Sequence, residues 1–306
     1  MGAALAQSYP AKPIRIIVPY PAGGGTDLIA RFIAQYVNEQ FGQTAIIDNR
    51  PGAGGRIGTE MVARASADGY TLGIATPGPT TIAATLYPSL PYRPTEAFAP
   101  ISLVAEQPVV LLTHPSLPVH SVSELVALAR SRPGQLTAAV TTATVPHLIT
   151  ELFKATAGIR LLSVPYKGGV EARTDIAAGR VEIMWSVLAT ALPFLHPPKL
   201  NVLALASPRR SALIPEVPTV REAGFPGIEG TVWVGIVAPR GTSKESVARL
   251  HSVVTTALAL VQTKQMFANL AMDPVGSRPE EFSRVLRDET ARWAKVIRVS
   301  NIMAED

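Results

Sequence analysis

Strand-like and helix-like segments alternate along nearly the whole chain, and this alternation most constrains the fold. Short apolar runs at Ile14–Val18, Ala45–Asp48 and Tyr70–Ala75 have the length of buried strands. Apolar residues at helical spacing follow the first two runs. Because a strand–helix–strand order requires crossover connections, we expect a parallel sheet with right-handed crossovers. The first 75 residues therefore predict an α/β domain.

The same order returns in the middle of the chain. Strands are predicted at residues 108–114, 136–140, 161–166, 181–186, 200–206 and 231–239, and two long helices are predicted to finish the chain. We therefore expect two α/β domains, formed by residues 1–105 with 232–306 and by residues 106–231. Two extended crossings would join them, and extended residues can absorb a hinge rotation. A ligand would then lie in the cleft that faces the carboxyl ends of the strands.

Composition excludes several classes of function. Apolar residues make up 47% of the chain, which indicates an ordered globular protein. The net charge is +5, but the basic residues are scattered, so we expect no nucleic-acid partner. The chain has no cysteine, and its five histidines never fall at zinc-binding spacing, so we expect no metal and no cofactor. No apolar run approaches the roughly 18 residues that a membrane span needs.

The N-terminus leaves two interpretations open. Ala4-Leu5-Ala6 has the small-x-small form of a signal-peptidase site, but no basic or long apolar region precedes it. The segment is therefore either the end of a signal peptide or an ordinary alanine-rich leader. The first interpretation predicts an exported protein.

A glycine-rich loop follows the first predicted strand. It reads "PYPAGGGTD" and leads directly into a predicted helix, whose first N–H groups carry a partial positive charge. Such a loop can bind an anion, although it can also be no more than a tight turn. The phosphate-binding P-loop pattern is excluded because its lysine is absent. The candidate ligand-binding residues here are Tyr20, Ala22, Gly23, Gly24, Gly25, Thr26 and Asp27, with Thr76 after the third strand.

A second glycine-rich loop, residues 52–58, resembles a dinucleotide-binding fingerprint only in part. Ile57 stands where the third glycine of Gly-x-Gly-x-x-Gly should be. We therefore expect neither a nicotinamide nor a flavin cofactor.

Three loops in the middle of the chain carry polar residues at predicted strand ends. Hydroxyl and N–H groups there could bind a carboxylate, but the threonines could equally cap a helix, His147 could be structural, and the corner at Tyr166 could be solvated. The candidates are Thr141, Thr142, Thr144, His147, Tyr166, Lys167 and Ser186. No Gly-x-Ser-x-Gly nucleophile motif occurs, so we expect no enzyme.

Several longer stretches resemble the Bug or TctC family, the periplasmic substrate-binding proteins of tripartite tricarboxylate transporters. The matching stretches cover nearly the whole chain. They are "YPAKPIRIIVPYPAGGGTD" (9–27), "DNRPGAGGRIGTEMVARASADGYTL" (48–72), "HLITELFKATAG" (147–158), "VPYKGG" (164–169), "IPEVPTVREAGFPG" (214–227) and "PVGSRPEEF…ARWAKVI" (274–297).

The resemblance implies a two-lobe periplasmic-binding-protein (Venus-flytrap) architecture. It also implies a monomer in the periplasm that binds a small organic acid and delivers it to the membrane permease subunits of the transporter. In the family, the loops at residues 23–27 and before His147 grip a carboxylate, often through ordered water.

Two departures from the family pattern bear on the ligand. Thr141-Thr142-Ala143-Thr144-Val145-Pro146 replaces a Gly/Ser-rich turn, and Ser186 stands where amino-acid-binding relatives have an aspartate. Because a buried ammonium group needs a counter-ion, we expect a carboxylate without an α-amino group. With Tyr20, Tyr166 and Trp185 nearby, an aromatic or aliphatic dicarboxylate is the expected ligand. The alternatives are a ligand sensor for a signalling receptor and an enzyme that uses Asp27, His147 or Lys167.

Overall fold

The structure is a computed structural model, which describes residues 9–166, 168–195 and 199–303. The signal-peptidase-like segment Ala4–Ala6 and the candidate residue Lys167 lie outside the described residues. The described chain divides into two compact units. Unit 1 contains the described residues up to Ala105 and Trp233–Arg292, and unit 2 contains Glu106–Val232 and the described residues from Trp293 onward. The two ends of the segment Glu106–Val232 both fall within strands.

Strands occur close to the predicted positions. Their bounds are β1 Ile14–Val18, β2 Ala45–Asn49, β3 Thr71–Ala75, β4 Phe98–Thr113, β5 Thr137–Thr141, β6 Leu162–Tyr166, β7 Ile183–Val187, β8 Asn201–Leu205, β9 Thr231–Pro239 and β10 Asp273–Pro274. The longest, β4, is a single 16-residue strand that extends the predicted 108–114 strand toward the N-terminus.

Helices fill the intervals between the strands. Their bounds are α1 Gly25–Phe41, α2 Arg56–Ala63, α3 Ala83–Leu86, α4 Pro94–Ala97, α5 Val122–Ser131, α6 Val145–Ala157, α7 Gly169–Ala177, α8 Leu188–Ala191, α9 Lys244–Ala259, α10 Val261–Asn269 and α11 Pro279–Val299. Short 3₁₀ segments lie at Ala53–Gly55 and Leu192–Phe194, and a π-helical turn lies at Gly78–Ile82.

The C-terminal region differs from the prediction of two long helices. A third helix, α10, lies between α9 and α11. Leu260 lies between the last residue of α9 and the first residue of α10 and has an extended conformation, so one residue separates the two helices. Only Thr263 and Phe267 of α10 are buried, which explains why its apolar pattern is weak.

The sheets are mixed, whereas the sequence analysis predicted parallel strands. In unit 1, β2, β1 and β3 are parallel neighbours, but β9 pairs with β3 in the antiparallel direction. In unit 2, β6, β5 and β7 are parallel neighbours, but β7 and β8 are antiparallel to β4. The strands that enter a unit from the other one are antiparallel to their neighbours, because no crossover helix connects them to those neighbours.

Both faces of the unit 1 sheet are buried. Ile16 and Val18 on one face pack in a cluster with Ile29, Ile33 and Leu250 of α1 and α9. Ile17 on the other face belongs to a second cluster that includes Val62, Trp233 and Phe282. Burial on both faces explains why β1 reads as a continuous apolar run rather than an alternating one. Packed side chains therefore cover both faces of this sheet.

Candidate functional site

The glycine-rich loop between β1 and α1 is held in place by the buried carboxylate of Asp27. Asp27 is 1% exposed. Its Oδ2 accepts hydrogen bonds from the Gly23 N–H at 2.9 Å and from Nε of Arg31 at 2.8 Å, and its Oδ1 accepts one from the side-chain amide of Asn49 at 3.0 Å. The same Asn49 amide donates to the carbonyl of Tyr20 at 3.1 Å. The end of β2 therefore fixes both ends of the loop that follows β1.

These contacts determine the charge of Asp27. Burial opposes ionisation of the carboxyl, but the hydrogen bonds from Arg31, Gly23 and Asn49 outweigh it and hold the pKa of Asp27 below its usual range. That Asp27 contacts a ligand stays a prediction, whereas the structure shows its hydrogen bonds with Gly23, Arg31 and Asn49. The i, i+4 spacing of Asp27 and Arg31 is a sequence signal for their pairing.

The first turn of α1 has no side-chain cap. Gly24 is its N-cap residue, and no side chain accepts a hydrogen bond from the turn that follows. Gly25 and Thr26 are half-buried, while Ala22, Gly23 and Gly24 are exposed. Uncapped N–H groups at a helix start, together with the helix dipole, attract an anion. This turn can therefore bind a carboxylate without a cationic side chain.

Tyr20 connects the loops that follow β1 and β3. Its hydroxyl lies 2.8 Å from Oγ1 of Thr76, which is itself buried. Burial raises the pKa of Tyr20, so the phenol is neutral at physiological pH and can donate a hydrogen bond. The structure thus brings together two predicted site residues that are 56 positions apart in the sequence.

The second glycine-rich loop also belongs to this end of the sheet, which the sequence analysis missed. Gly55 has a φ of +90°, and a Cβ there would lie 3.2 Å from the Tyr20 hydroxyl and 3.3 Å from Pro79. Glycine is required because the conformation is left-handed and because the Tyr20 ring packs directly on the Gly55 backbone. The loop therefore supports the Tyr20 side chain.

Unit 2 has a comparable loop between β5 and α6. Thr144 is the N-cap of α6: its hydroxyl donates to the carbonyl of Thr141 at 2.7 Å and lies 3.4 Å from the His147 N–H. Ala143 has a φ of +61°, an unusual conformation for a residue with a Cβ. Thr142 is half-buried, and His147 is 8% exposed. The helix-capping interpretation of Thr144 is thus what the contacts show, while ligand contacts of this loop stay a prediction.

The polar ends of three strands lie side by side in unit 2. Thr141 of β5 is the direct register partner of Tyr166 of β6. Strand β7 lies on the other side of β5, where Met184 pairs with Ala139. Two residues further along these two parallel strands, Ser186 lies beside Thr141. Ser186 is buried, and its hydroxyl lies 3.4 Å from that of Thr190. Three predicted site residues therefore meet at one edge of this sheet.

Two of the three aromatic residues expected near the ligand have other partners within the chain. The Tyr166 hydroxyl donates to Asp175 at 2.8 Å, and burial, followed by this hydrogen bond, raises the pKa of Tyr166 to about 12. Trp185 is fully buried, with its ring centroid 5.9 Å from that of Phe153. Tyr166 is half-buried and can still present a ring edge, but Trp185 is a core residue.

The described residues hold no cluster of three or more His, Cys, Asp or Glu side chains that could bind a metal ion. None of the described helices is long and apolar enough to pass through a bilayer.

Two α/β units with polar glycine- and threonine-rich loops at their strand ends are the features of a solute-binding protein of the periplasmic type. A family model described as "Tripartite tricarboxylate transporter family receptor" (TctC) matches residues 29–302. The chain belongs to this family, as its sequence motifs predicted. The protein BugT of Bordetella pertussis is 36% identical to the chain over 295 residues, which cover 96% of this chain and 90% of BugT.

Solved structures confirm the two-lobe α/β architecture. A protein of R. palustris solved with adipate is 36% identical, covers 96% of this chain and 99% of its own, and superimposes with a TM-score of 0.82. MatC from Rhodopseudomonas palustris, solved with bound malate, is 31% identical, with a TM-score of 0.77 and coverage of 94% and 100%.

Proposed function

We propose that this protein captures a small organic acid in the periplasm and delivers it, chemically unchanged, to the membrane permease of a tripartite tricarboxylate transporter. One carboxylate of the acid would be bound by N–H and hydroxyl groups of the strand-end loops of both units. The observation that carries this proposal is the first turn of α1, which follows a glycine-rich loop and lacks a side-chain cap. Family membership and relatives solved with adipate and malate support it.

The charges around these loops favour an acid without an amino group. Two acidic side chains near these loops are already engaged, because Asp27 on α1 pairs with Arg31 and Asp175 on α7 pairs with Arg180. Ser186 offers a hydroxyl but no charge. A ligand ammonium group would therefore be buried without a counter-ion, which is costly.

The same engagement argues against catalysis. A general acid or base needs a titratable group that can exchange a proton with the ligand. The Asp27 carboxylate is held by three donors, and the lowered pKa keeps it ionised. We therefore propose binding and release without chemistry.

A thermal-shift screen of organic acids and amino acids tests the proposal. A ligand at a hundred times its dissociation constant should stabilise the protein by about 2.7 kcal/mol. We expect dicarboxylates such as adipate and malate to raise the melting temperature, and glutamate and aspartate at equal concentration to leave it unchanged. Proton NMR of the mixture should recover the acid unaltered.

Two results would contradict the proposal. Stabilisation by amino acids but not by dicarboxylates would mean that Ser186 and its surroundings do accept an ammonium group. Conversion of the acid during incubation would mean that the protein is an enzyme.

A further inference from the structure

Arg173 lies in the middle of α7, four residues after Gly169, where the helix begins. Its side chain folds back over the first turn of the helix, so that Nη1 lies 2.9 Å from the position that a Cβ on Gly169 would occupy. Long side chains on a helix point toward its N-terminus, and residues four apart are neighbours, which explains this contact. The guanidinium is therefore placed at the N-terminal end of α7, the helix that follows β6 and Tyr166.

The Arg173 guanidinium differs from the other cations of the described chain. It forms no ion pair, side-chain hydrogen bond or ring contact among the described residues, although it is half-buried. The other described lysines and arginines that likewise lack such contacts are exposed: Arg132, Arg160, Lys199, Lys244, Lys264, Arg284, Lys295 and Arg298. An unpaired charge in water costs nothing, but a partly desolvated one does.

The surroundings of Arg173 supply no compensating anion within the described residues. Asp175, two residues further on, is engaged by the Tyr166 hydroxyl at 2.8 Å and by Arg180 at 2.6 Å. Glu171 is exposed. Burial lowers the pKa of Arg173, and no neighbouring carboxylate raises it. Among the described residues, no carboxylate therefore pairs with the Arg173 guanidinium.

We propose that Arg173 binds a second anionic group of the ligand, so that the ligand is a dicarboxylate rather than a monocarboxylate. This inference rests on the proposed function, in which neutral donors hold the first carboxylate. A guanidinium can donate two parallel hydrogen bonds to one carboxylate, which neutral hydroxyl groups cannot match. Arg173 is then the residue that selects for charge at the far end of the ligand.

Isothermal titration calorimetry with matched acids tests this role. The probes are the straight-chain dicarboxylates from succinate to suberate, each paired with the monocarboxylate of equal chain length. Wild-type protein should bind at least one dicarboxylate about 10- to 100-fold more tightly than its monocarboxylate partner. Arg173→Met should remove that difference by weakening dicarboxylate binding, with monocarboxylate affinity changed less than about twofold. Arg173→Lys should restore part of the difference, because it keeps the charge but not the bidentate geometry.

Arg160→Met is the matched control. Arg160 precedes β6, at the end of the strand opposite Tyr166, and is exposed without an ion pair. This variant loses the same charge and should keep the full preference for dicarboxylates. Melting temperatures of all variants show whether each one is folded.

The outcomes separate this inference from the proposed function. If wild-type protein binds dicarboxylates and Arg173→Met binds them equally well, or loses both classes of acid to the same extent, the role of Arg173 is refuted and the proposed function stands. If wild-type protein binds none of these acids, both are refuted.

Discussion

At the scale of single residues, the partner of a side chain decides its role. Asp27 was predicted to contact the ligand because it follows three glycines at a helix start. Its carboxylate accepts hydrogen bonds from the Gly23 N–H, Arg31 and Asn49, and so shapes the loop. The contact of Asp27 with a ligand stays a prediction, and its negative charge is already paired with Arg31.

Replacement of Asp27 by asparagine should destabilise the protein in a pH-dependent way. At pH 7 we expect Asp27→Asn to lower the free energy of unfolding by about 1–3 kcal/mol, because charge-assisted hydrogen bonds are lost. The folded-state pKa of Asp27 lies below the unfolded value of about 3.9. The contribution is therefore fully present above that value and is lost as the pH falls through the lower folded-state pKa.

Urea unfolding of wild type and variant between pH 7 and pH 3 measures this difference. Asp288→Asn serves as the control, because Asp288 is exposed on α11, and it should change stability by less than about 0.5 kcal/mol. Equal stability of Asp27→Asn and wild type at pH 7 would show that the loop does not depend on this carboxylate.

At the scale of elements, the candidate site depends on how loops support one another. Gly55, in the loop after β2, leaves room for the Tyr20 ring, and Tyr20 in turn meets Thr76 after β3. The loops after three parallel strands thus form one contact network in unit 1. A change in the second loop should therefore be felt in the first.

Gly55→Ala should cost both stability and affinity. The left-handed backbone costs a residue with a Cβ roughly 1–2 kcal/mol, and the new methyl group would crowd Tyr20 and Pro79 at 3.2–3.3 Å. We expect a total loss of about 2–4 kcal/mol in urea unfolding and weaker binding of the acid by calorimetry.

Gly42→Ala separates the two causes of that loss. Gly42 ends α1 with a φ of +63°, and nothing lies within 4 Å of the position of its missing Cβ. This control should show the backbone cost alone, with unchanged affinity. If both variants lose the same stability and neither binds more weakly, the contact between Gly55 and Tyr20 has no functional role.

At the scale of the whole molecule, the chain passes from unit 1 to unit 2 within β4, returns within β9 and enters unit 2 again within α11. Each unit has a sheet, covering helices and its own polar strand-end loops. The proposed function requires loops from both units to contribute to one ligand. Ligand binding should then leave a signature in both units at once.

Hydrogen exchange followed by mass spectrometry checks this requirement. On addition of a bound dicarboxylate, we expect slower exchange of the backbone amides of residues 23–28 at the start of α1 and of residues 142–148 at the start of α6, because N–H groups bound to the ligand are protected. The start of α5 is the internal control and should not change, because Ser121 caps this helix as Thr144 caps α6 but no candidate site residue lies there. Protection of only one of the two loops would refute shared binding.

The sequence by itself determined the order of strands and helices, both glycine-rich loops and membership of the family. These features can be predicted from local sequence patterns, namely apolar periodicity, turn residues and motif spacing within a few tens of residues. Helix α10 was not predicted because it buries only two side chains. The antiparallel direction of β9 was not predicted because the direction of a strand depends on the strand with which it pairs. Neither feature can be recognised from a short stretch of sequence.

Only the tertiary structure decided which polar groups are already engaged. The Tyr20 hydroxyl forms a hydrogen bond with Thr76, 56 residues away, and the Asn49 amide donates to Asp27, 22 residues away. The Tyr166 hydroxyl donates a hydrogen bond to Asp175. Arg173, which no motif marked, is left half-buried with no ion pair among the described residues. Hydrogen bonds and desolvation act over a few ångströms of space, so the charge state and availability of a side chain follow from packing and not from its neighbours in the chain.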